Sequence, residues 1–489
     1  MSGLFNVPGD DGLRPTPGLR RRVRVARRTA WFLPAALVAA AAAPLWAQQP
    51  PPSAPPAAPP DQQPGAGAQV RTGTTSGIDT ETRLRNLLAD HQFLLLESQL
   101  DKLPPADAQY YRGVLANRNN DPKASIQFLE PLIDQVAAAG DKAQEKTLRK
   151  ALAEDYLRVG DWSKAAKAYQ ALSVRAEALL SPDERDEIEM PLKLLPLAAA
   201  NPAMTADPCD PFELQVSKNP LGLTDIPVFV DARPHTWMLD PTAPFNLIAR
   251  SLAKEAGLKV ADEAATIHTL TGRPMQVHVA VVPRFTIGGR LTLRNMTVFV
   301  FEDRDYSFPR PKYQVQGVLG YPALSALGSL TVTSNATIEV RPPAQIAPPE
   351  RDDRLTGGAR FFLDGDQIVV ALGEAGQERM FAVDAAGQQT YLTSRFYDEH
   401  SADFAGQKME LFSIPGAASI APQPAYSAET VPLRIGPATI QVHYVQVLTQ
   451  PVGSAALDDV YGVLGVDALD QLKSYTFDYR TMRFSVRPE

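Results

Sequence analysis

The 489-residue sequence predicts a multidomain chain of α plus mainly-β class: a helical repeat domain followed by a duplicated, two-lobed β domain. Three observations predict it. An apolar run ending in Asp occurs twice, at Trp237-Met238-Leu239-Asp240 and Met380-Phe381-Ala382-Val383-Asp384, and each copy leads far downstream to Gly-Val-Leu-Gly, ending at Gly320 and Gly465. The Asp-to-Gly separations match, at 80 residues (240 to 320) and 81 residues (384 to 465). Upstream, two helix–turn–helix patterns align at an offset of 41, with Ala124 over Ala165 and Phe128 over Tyr169.

Taken in order, residues 1–47 read as an export signal. Arg20-Arg21-Arg22, Arg24 and Arg27-Arg28 form a basic start, Trp31 to Trp46 is apolar, and Ala47 offers a small residue for cleavage. Left uncleaved, the same segment would serve as a membrane anchor, although its apolar run is short for a span. Residues 48–78, rich in Pro, Ala and Gln, read as a disordered tether. Residues 79–200 form the helical domain, whose small residues and aromatics resemble tetratricopeptide units at a longer offset. The stripe Leu94, Leu95, Leu96 and Leu100 reads as core. Such a domain either holds a protein partner in a concave face or packs against the C-terminal β lobes. Residues 201–212 are a Pro-rich linker.

The two copies occupy residues 213–342 and 359–489, joined by a linker at 343–358. Ile226–Val230 and His235–Leu239 around the turn Asp231–Pro234 predict a hairpin, as do Gln367–Leu372 and Arg379–Val383 around Gly373–Gly376. After each Asp, one-sided apolar spacing predicts a helix, over Phe245–Ala256 and over Thr390–Glu399. The tails also agree. Ala323-Leu324, Leu327 and Ser329 come after the first tetrapeptide as Ala468-Leu469, Leu472 and Ser474 come after the second, and both copies close on Arg-Pro.

A strand-end Asp followed by an aliphatic-aliphatic-Gly motif resembles the bilobal aspartic peptidases of the pepsin and retropepsin type. Leu239-Asp240-Pro241-Thr242-Ala243 with Ile248–Lys254 looks like that family's Asp-Thr-Gly-Ala loop and following helix, and Val318-Leu319-Gly320 and Val463-Leu464-Gly465 look like its second motif. The run Ser474–Phe484 is similar to bacterial secreted members, and the likeness covers about residues 210–489. The resemblance implies catalytic roles for Asp240 and Asp384, and substrate contacts from Thr242, Ala243, Ala386 and Gly387. It also implies a flap at Thr269–Pro274, where Thr271 and Gly272 would meet substrate. No cofactor or metal is implied, and the partner is a peptide or protein substrate.

This sequence departs from the family at the residues after each Asp, where the family has Thr or Ser and then Gly. Here they are Pro241-Thr242 and Ala385-Ala386. Pro241 and Ala385 lack the hydroxyl that ties the family's two loops, and Thr242 and Ala386 add a Cβ where close backbone approach is wanted. The departures leave two readings: an exported aspartic endopeptidase, weakened by these changes, and a peptide-binding envelope protein that has lost turnover.

Composition narrows the field. The net charge is −7, and residues 1–47 carry seven Arg and two Asp, so the chain without them stands at −12, which disfavours nucleic acid as a partner. One cysteine, Cys209, excludes an intrachain disulfide and a Cys-rich zinc site. The six His are scattered with no His-Glu-x-x-His pair, and there is no Gly-x-Ser-x-Gly elbow. His268, His278 and His443 fall in strand-like runs and read as satisfied or surface residues.

Overall fold

The computed structural model describes residues 75–489 apart from 269–273, 310–311, 344–357, 366, 374–375, 386, 388, 415–421, 454 and 489. The export signal, nearly all of the tether, most of the 343–358 linker, and Thr271, Gly272 and Ala386 lie outside the described residues.

The N-terminal region is helical: α1 (Thr75–Ala89), α2 (Phe93–Leu100), α3 (Pro105–Arg118), α4 (Pro122–Leu129), α5 (Ile133–Ala139), α6 (Lys142–Arg158), α7 (Trp162–Arg175) and α8 (Pro182–Ala199). Asp121, Asp141 and Asp161 cap α4, α6 and α7, accepting from the N–H of Ala124, Gln144 and Lys164. The segments aligned at offset 41 are the hairpins α3–α4 and α6–α7. Gly113 lets the first of these close, since a Cβ there would run into the Leu129 side chain.

The mainly-β region has two halves. The first holds β1 (Thr205–Ala206), β2 (Phe212–Gln215), β3 (Ser217–Lys218), β4 (Thr224–Val230), β5 (Arg233–Leu239), β6 (Leu247–Ala249), β7 (Ala265–His268), β8 (Pro274–Ile287), β9 (Leu291–Phe301), β10 (Ser307–Pro309), β11 (Lys312–Gln314), β12 (Gly317–Leu319), β13 (Ser329–Thr333) and β14 (Thr337–Arg341). The second holds β15 (Ala359–Asp364), β16 (Gln367–Leu372), β17 (Arg379–Val383), β18 (Tyr391–Leu392), β19 (Glu410–Phe412), β20 (Gln423–Ile435), β21 (Ala438–Leu448), β22 (Gly462–Leu464), β23 (Leu472–Asp478) and β24 (Arg483–Pro488).

In the first half β9, β6, β12, β5, β4 and β8 pair in that order, and β8 pairs back to β9. The second half repeats the local order β21, β18, β22, β17 and β16. Between the halves runs β2-β14-β13-β23-β24-β15. At its middle Thr331 faces Thr476, with hydroxyl oxygens 2.8 Å apart, and each Thr lies at the same distance along the chain from its own Gly-Val-Leu-Gly.

Both predicted hairpins are present, β4–β5 turning on Asp231 and Ala232 (φ 47° and 68°) and β16–β17. The predicted post-Asp helices need correction. Leu247–Ala249 and Tyr391–Leu392 are strands, and helix begins only at Arg250 and Ser394. Their apolar side chains are buried on both sides, each strand lying between two others, and tertiary pairing overrides helical spacing there. The predicted 201–212 linker also contains β1, which pairs Thr205 with Arg294.

The helices share a core with the second half. Phe93, Leu96, Leu100, Ala108, Tyr111 and Leu115 pack with Phe362, Val369, Ala371, Met380 and Ala382, and each large side chain buried there contributes roughly 1.5–3 kcal/mol. The leucine stripe is therefore interior where it counts, at Leu96 and Leu100.

Candidate active site

Each Asp sits where a short strand ends against a parallel neighbour. β5 runs beside β12, pairing Leu239 with Leu319, and β17 beside β22, pairing Val383 with Leu464. The next N–H continues each ladder: Asp240 donates to Leu319 (3.1 Å) and Asp384 to Leu464 (2.9 Å). The chain then turns alike in both halves. Ala243 N–H donates to Asp240 carbonyl at 3.2 Å and Gly387 N–H to Asp384 carbonyl at 3.1 Å. The carbonyls of Ala243 and Gly387 in turn accept from Tyr321 and Val466, both at 2.8 Å.

Gly320 and Gly465 are required by this crossing. A Cβ at Gly320 would run into the Ala243 and Phe245 carbonyls, and one at Gly465 into the Gln389 backbone. Their N–H groups are held by side chains that sequence reasoning passed over, Asn246 Oδ1 at 3.1 Å and Thr390 Oγ1 at 2.9 Å. Asn246 and Thr390 stand at the same place after each Asp, and that matched pair of hydrogen-bonding side chains was the signal available.

The structure changes the meaning of Thr242. Its hydroxyl donates to the carbonyl of Val383, the residue before Asp384, at 2.5 Å, and also lies 2.9 Å from Oδ1 of Asp240. One proton serves both acceptors. The sequence assigned the interloop hydroxyl to the position after Asp and found it missing; it is supplied one position later. Pro241 is held too, its carbonyl accepting from the Tyr479 hydroxyl at 3.2 Å.

Oδ1 of Asp240 also accepts the N–H groups of Thr242 (3.1 Å) and Ala243 (3.2 Å). Burial pushes the Asp240 carboxyl above the usual range, opposed by these hydrogen bonds. At the second Asp, the close backbone approach falls on Gly387, where a Cβ would run into the Asp384 carboxylate. The residue type the family carries two positions after Asp is thus found here three after it. Ala243, its counterpart, contributes its N–H to Asp240.

Of the residues expected to meet substrate, Thr242, Ala243 and Gly387 stand at the two Asp loops, while Thr271, Gly272 and Ala386 lie outside the described residues. The bounds of the expected flap are described: β7 ends at His268, which pairs with Pro274 at the start of β8. His278 Nδ1 lies 2.9 Å from the Ala261 carbonyl, a satisfied strand histidine.

A family model described as aspartyl protease matches residues 226–323, from within β4 to just beyond Gly320. No curated protein matches the chain. Similar solved structures include conglutin gamma, a basic 7S globulin from lupine seeds, at 10% identity, covering 58% of this chain and 96% of that one, TM-score 0.35. Basic 7S globulin from soybean is 12% identical, covering 57% and 95%, TM-score 0.36. A retropepsin-like aspartic protease from Rickettsia conorii is 17% identical, covering 29% and 96%, TM-score 0.21. The chain carries an aspartic-peptidase-like domain.

Proposed function

We propose that this protein is an aspartic-type endopeptidase built from two duplicated lobes, with Asp240 and Asp384 as its catalytic pair. The observation that carries the reading is the Thr242 hydroxyl on the Val383 carbonyl, which sets the loop of one Asp directly against the loop of the other. The equivalent Gly crossings at Gly320 and Gly465, and the Thr331–Thr476 pairing at the middle of the shared sheet, support a pseudo-twofold relation between the lobes.

In this mechanism two carboxyls share one proton and hold a water between them. Asp240, whose carboxyl burial pushes above the usual range, serves as general acid toward the scissile amide, its Oδ1 held as an acceptor by the N–H groups of Thr242 and Ala243. Asp384 is the general base that takes a proton from water as it attacks the carbonyl carbon. Thr242 positions the pair through the interloop bond, and Ala243, Gly387 and, by sequence position, Ala386 line the peptide path. No cofactor is needed.

The N-terminal segment 1–47 supports export to the periplasm or beyond, with cleavage after Ala47, and the α3–α4 and α6–α7 hairpins support a tetratricopeptide-like character for the helical domain. A second reading, a non-catalytic peptide-binding protein, is favoured by one observation: Ala385 and Ala386 offer no hydroxyl to return the tie from the second loop.

The test is incubation of the full chain with an unfolded protein substrate at about pH 3–6, where one carboxyl of such a pair is protonated. Cleavage that is lost in both Asp240→Asn and Asp384→Asn supports the endopeptidase. The same fragments from the double Asn variant would place the chemistry elsewhere, and peptide binding without cleavage would favour the second reading.

A further inference from the structure

The Thr242 hydroxyl on the Val383 carbonyl ties the two Asp loops in one direction, and Ala385 and Ala386 bring no hydroxyl to send a tie back. A bond in the return direction comes from another part of the second half. Tyr479, in the turn between β23 and β24, donates its hydroxyl to the carbonyl of Pro241, the residue after Asp240, at 3.2 Å. Pro241 is buried and has no N–H, so this carbonyl is its one polar group and needs a partner.

Tyr479 is aimed from several sides. Its own N–H donates to the carbonyl of Gly328 in the first half at 3.0 Å, and Gly328 has φ 77°, where a Cβ would run into the Arg341 carbonyl. Asp478 shapes the turn, its Oδ1 accepting from the N–H groups of Arg480 and Thr481, both at 3.0 Å. The buried ring stacks on Phe477 with centroids 6.0 Å apart and meets Phe361 and Tyr321 edge-on at 6.0 and 5.6 Å. Tyr321 holds the same Asp loop by its backbone, donating its N–H to the Ala243 carbonyl at 2.8 Å. Burial, and after it Tyr321, Asp240 and Tyr475, push the pKa of the Tyr479 hydroxyl well above its ordinary value, so the group stays a donor. At the same distance from the first Gly-Val-Leu-Gly stands Ser334, an exposed residue with a far shorter side chain.

We infer that Tyr479 is a positioning residue of the Asp240 loop, supplying from the β23–β24 turn the cross-half hydroxyl that the second Asp loop lacks. This rests on the reading of Asp240 and Asp384 as a pair and adds to it how the first acid is held. Thr242 reaches from the first half to the residue before Asp384, and Tyr479 reaches from the second half to the residue after Asp240, so each half holds the other's loop. The Pro241 carbonyl and the Thr242 N–H belong to one planar peptide unit. Fixing that carbonyl therefore fixes the direction of the Thr242 N–H, which donates to Oδ1 of Asp240 at 3.1 Å.

The experiment compares the full chain with Tyr479→Phe, which keeps the ring contacts and removes the hydroxyl, and with Tyr475→Phe, which removes a hydroxyl from a buried ring of β23. Amide exchange is read at Thr242 and Ala243 by mass spectrometry with electron-transfer fragmentation, and kcat and KM are measured separately on a peptide substrate. In Tyr479→Phe, exchange at those two amides is expected to rise about tenfold while residues 472–478 keep the parent rate, as release of one loop would give. The kcat is expected to fall about tenfold with KM within about twofold of the parent, because the acid is misplaced and the peptide path is not. Tyr475→Phe leaves exchange and kinetics unchanged. Parental exchange at Thr242 and Ala243 in Tyr479→Phe would overturn the inference, as would a rise spread equally over β23, the same rise in Tyr475→Phe, or an unchanged kcat in a chain that cleaves peptide. If exchange responds as expected and the parent cleaves no peptide, Tyr479 still holds the loop and the endopeptidase reading is the one that falls.

Discussion

In the first half the strand pair leading to Asp240 presents Asp225, Pro227, Thr236 and Met238 on one face; at the same register before Asp384 the second half presents Val369, Ala371, Met380 and Ala382. The backbones match and the faces do not. Thr236 is exposed and Asp225 is buried under its own half, accepting from Asn219 Nδ2 and the Tyr313 hydroxyl, each at 2.9 Å. All four second-half residues are buried, in one core with α1, α2 and α3. An apolar outward face lets α1–α3 dock on the second half at these four positions, whereas α8 meets the first half at β7, where Asp186 pairs with His268. The Asp loops differ as well. The first supplies the crossing hydroxyl through Thr242, and the second supplies the close backbone approach through Gly387, so a task that the family performs twice is divided between two unequal loops.

The strongest way to probe that division is at the acids themselves. Asp240→Asn and Asp384→Asn are each expected to lower peptide hydrolysis by about 10²–10⁴-fold, the usual contribution of a positioned acid or base. The two differ in stability. Burial disfavours the charged form of Asp240, so the folded carboxyl titrates above its unfolded range and the protein is most stable below that range, losing stability as pH rises through the folded value. Asp240→Asn should therefore raise the melting temperature at neutral pH while abolishing turnover. A lowered melting temperature would show that the Asp240 charge is stabilising.

The contrast of outward faces is broken by Val369→Asp, which gives the second half the residue type that the first half carries at Asp225. Without the Asn219 and Tyr313 partners, an unpaired buried carboxylate costs roughly 3–5 kcal/mol and should expose α1–α3 to limited proteolysis. Undiminished resistance would mean that the helices are held mainly by their ion pairs. A smaller effect is expected from Thr242→Val, which keeps the shape and removes the interloop donor. It should cost about 1–3 kcal/mol by leaving the Val383 carbonyl unsatisfied. If the loops then shift by about 1 Å, hydrolysis should drop by up to roughly 100-fold. Equal stability and activity would remove Thr242 from the account.

The smallest effect concerns His91. Burial lowers its affinity for a proton, but Asp364 more than compensates and raises it above the ordinary value of 6.5. Its contribution to stability is fully present below pH 6.5 and is lost as pH rises through the raised value. Denaturant midpoints of the parent should therefore exceed those of His91→Gln at mildly acid pH and converge with them in alkali. A constant gap would indicate packing in place of charge.

Much of this was legible in the sequence because the Asp and Gly positions are fixed by backbone crossings that tolerate few residue types. Gly320 and Gly465 could be paired by spacing alone for that reason. The loop chemistry was not legible, because a hydroxyl one position along the chain can reach the same carbonyl once the turn is folded, and residue type alone does not fix where it points. The strands at Leu247–Ala249 and Tyr391–Leu392 were hidden by apolar spacing shared with the helices just after them. The docking face left a trace: Ile368 to Leu372 is apolar at every position, the mark of a strand buried on both sides, while β4 carries Asp225 and Thr224.

The pH dependence of kcat/KM for a peptide substrate cleaved by the full chain tests the pairing of Asp240 with Asp384 most directly. Two carboxyls sharing a proton across the Thr242 tie predict a bell-shaped profile bounded by two apparent values that belong to the pair. Replacing either acid with Asn should remove the profile along with the activity. A profile of the same shape persisting in Asp240→Asn, or in Asp384→Asn, would contradict the claim that these two residues form one catalytic unit.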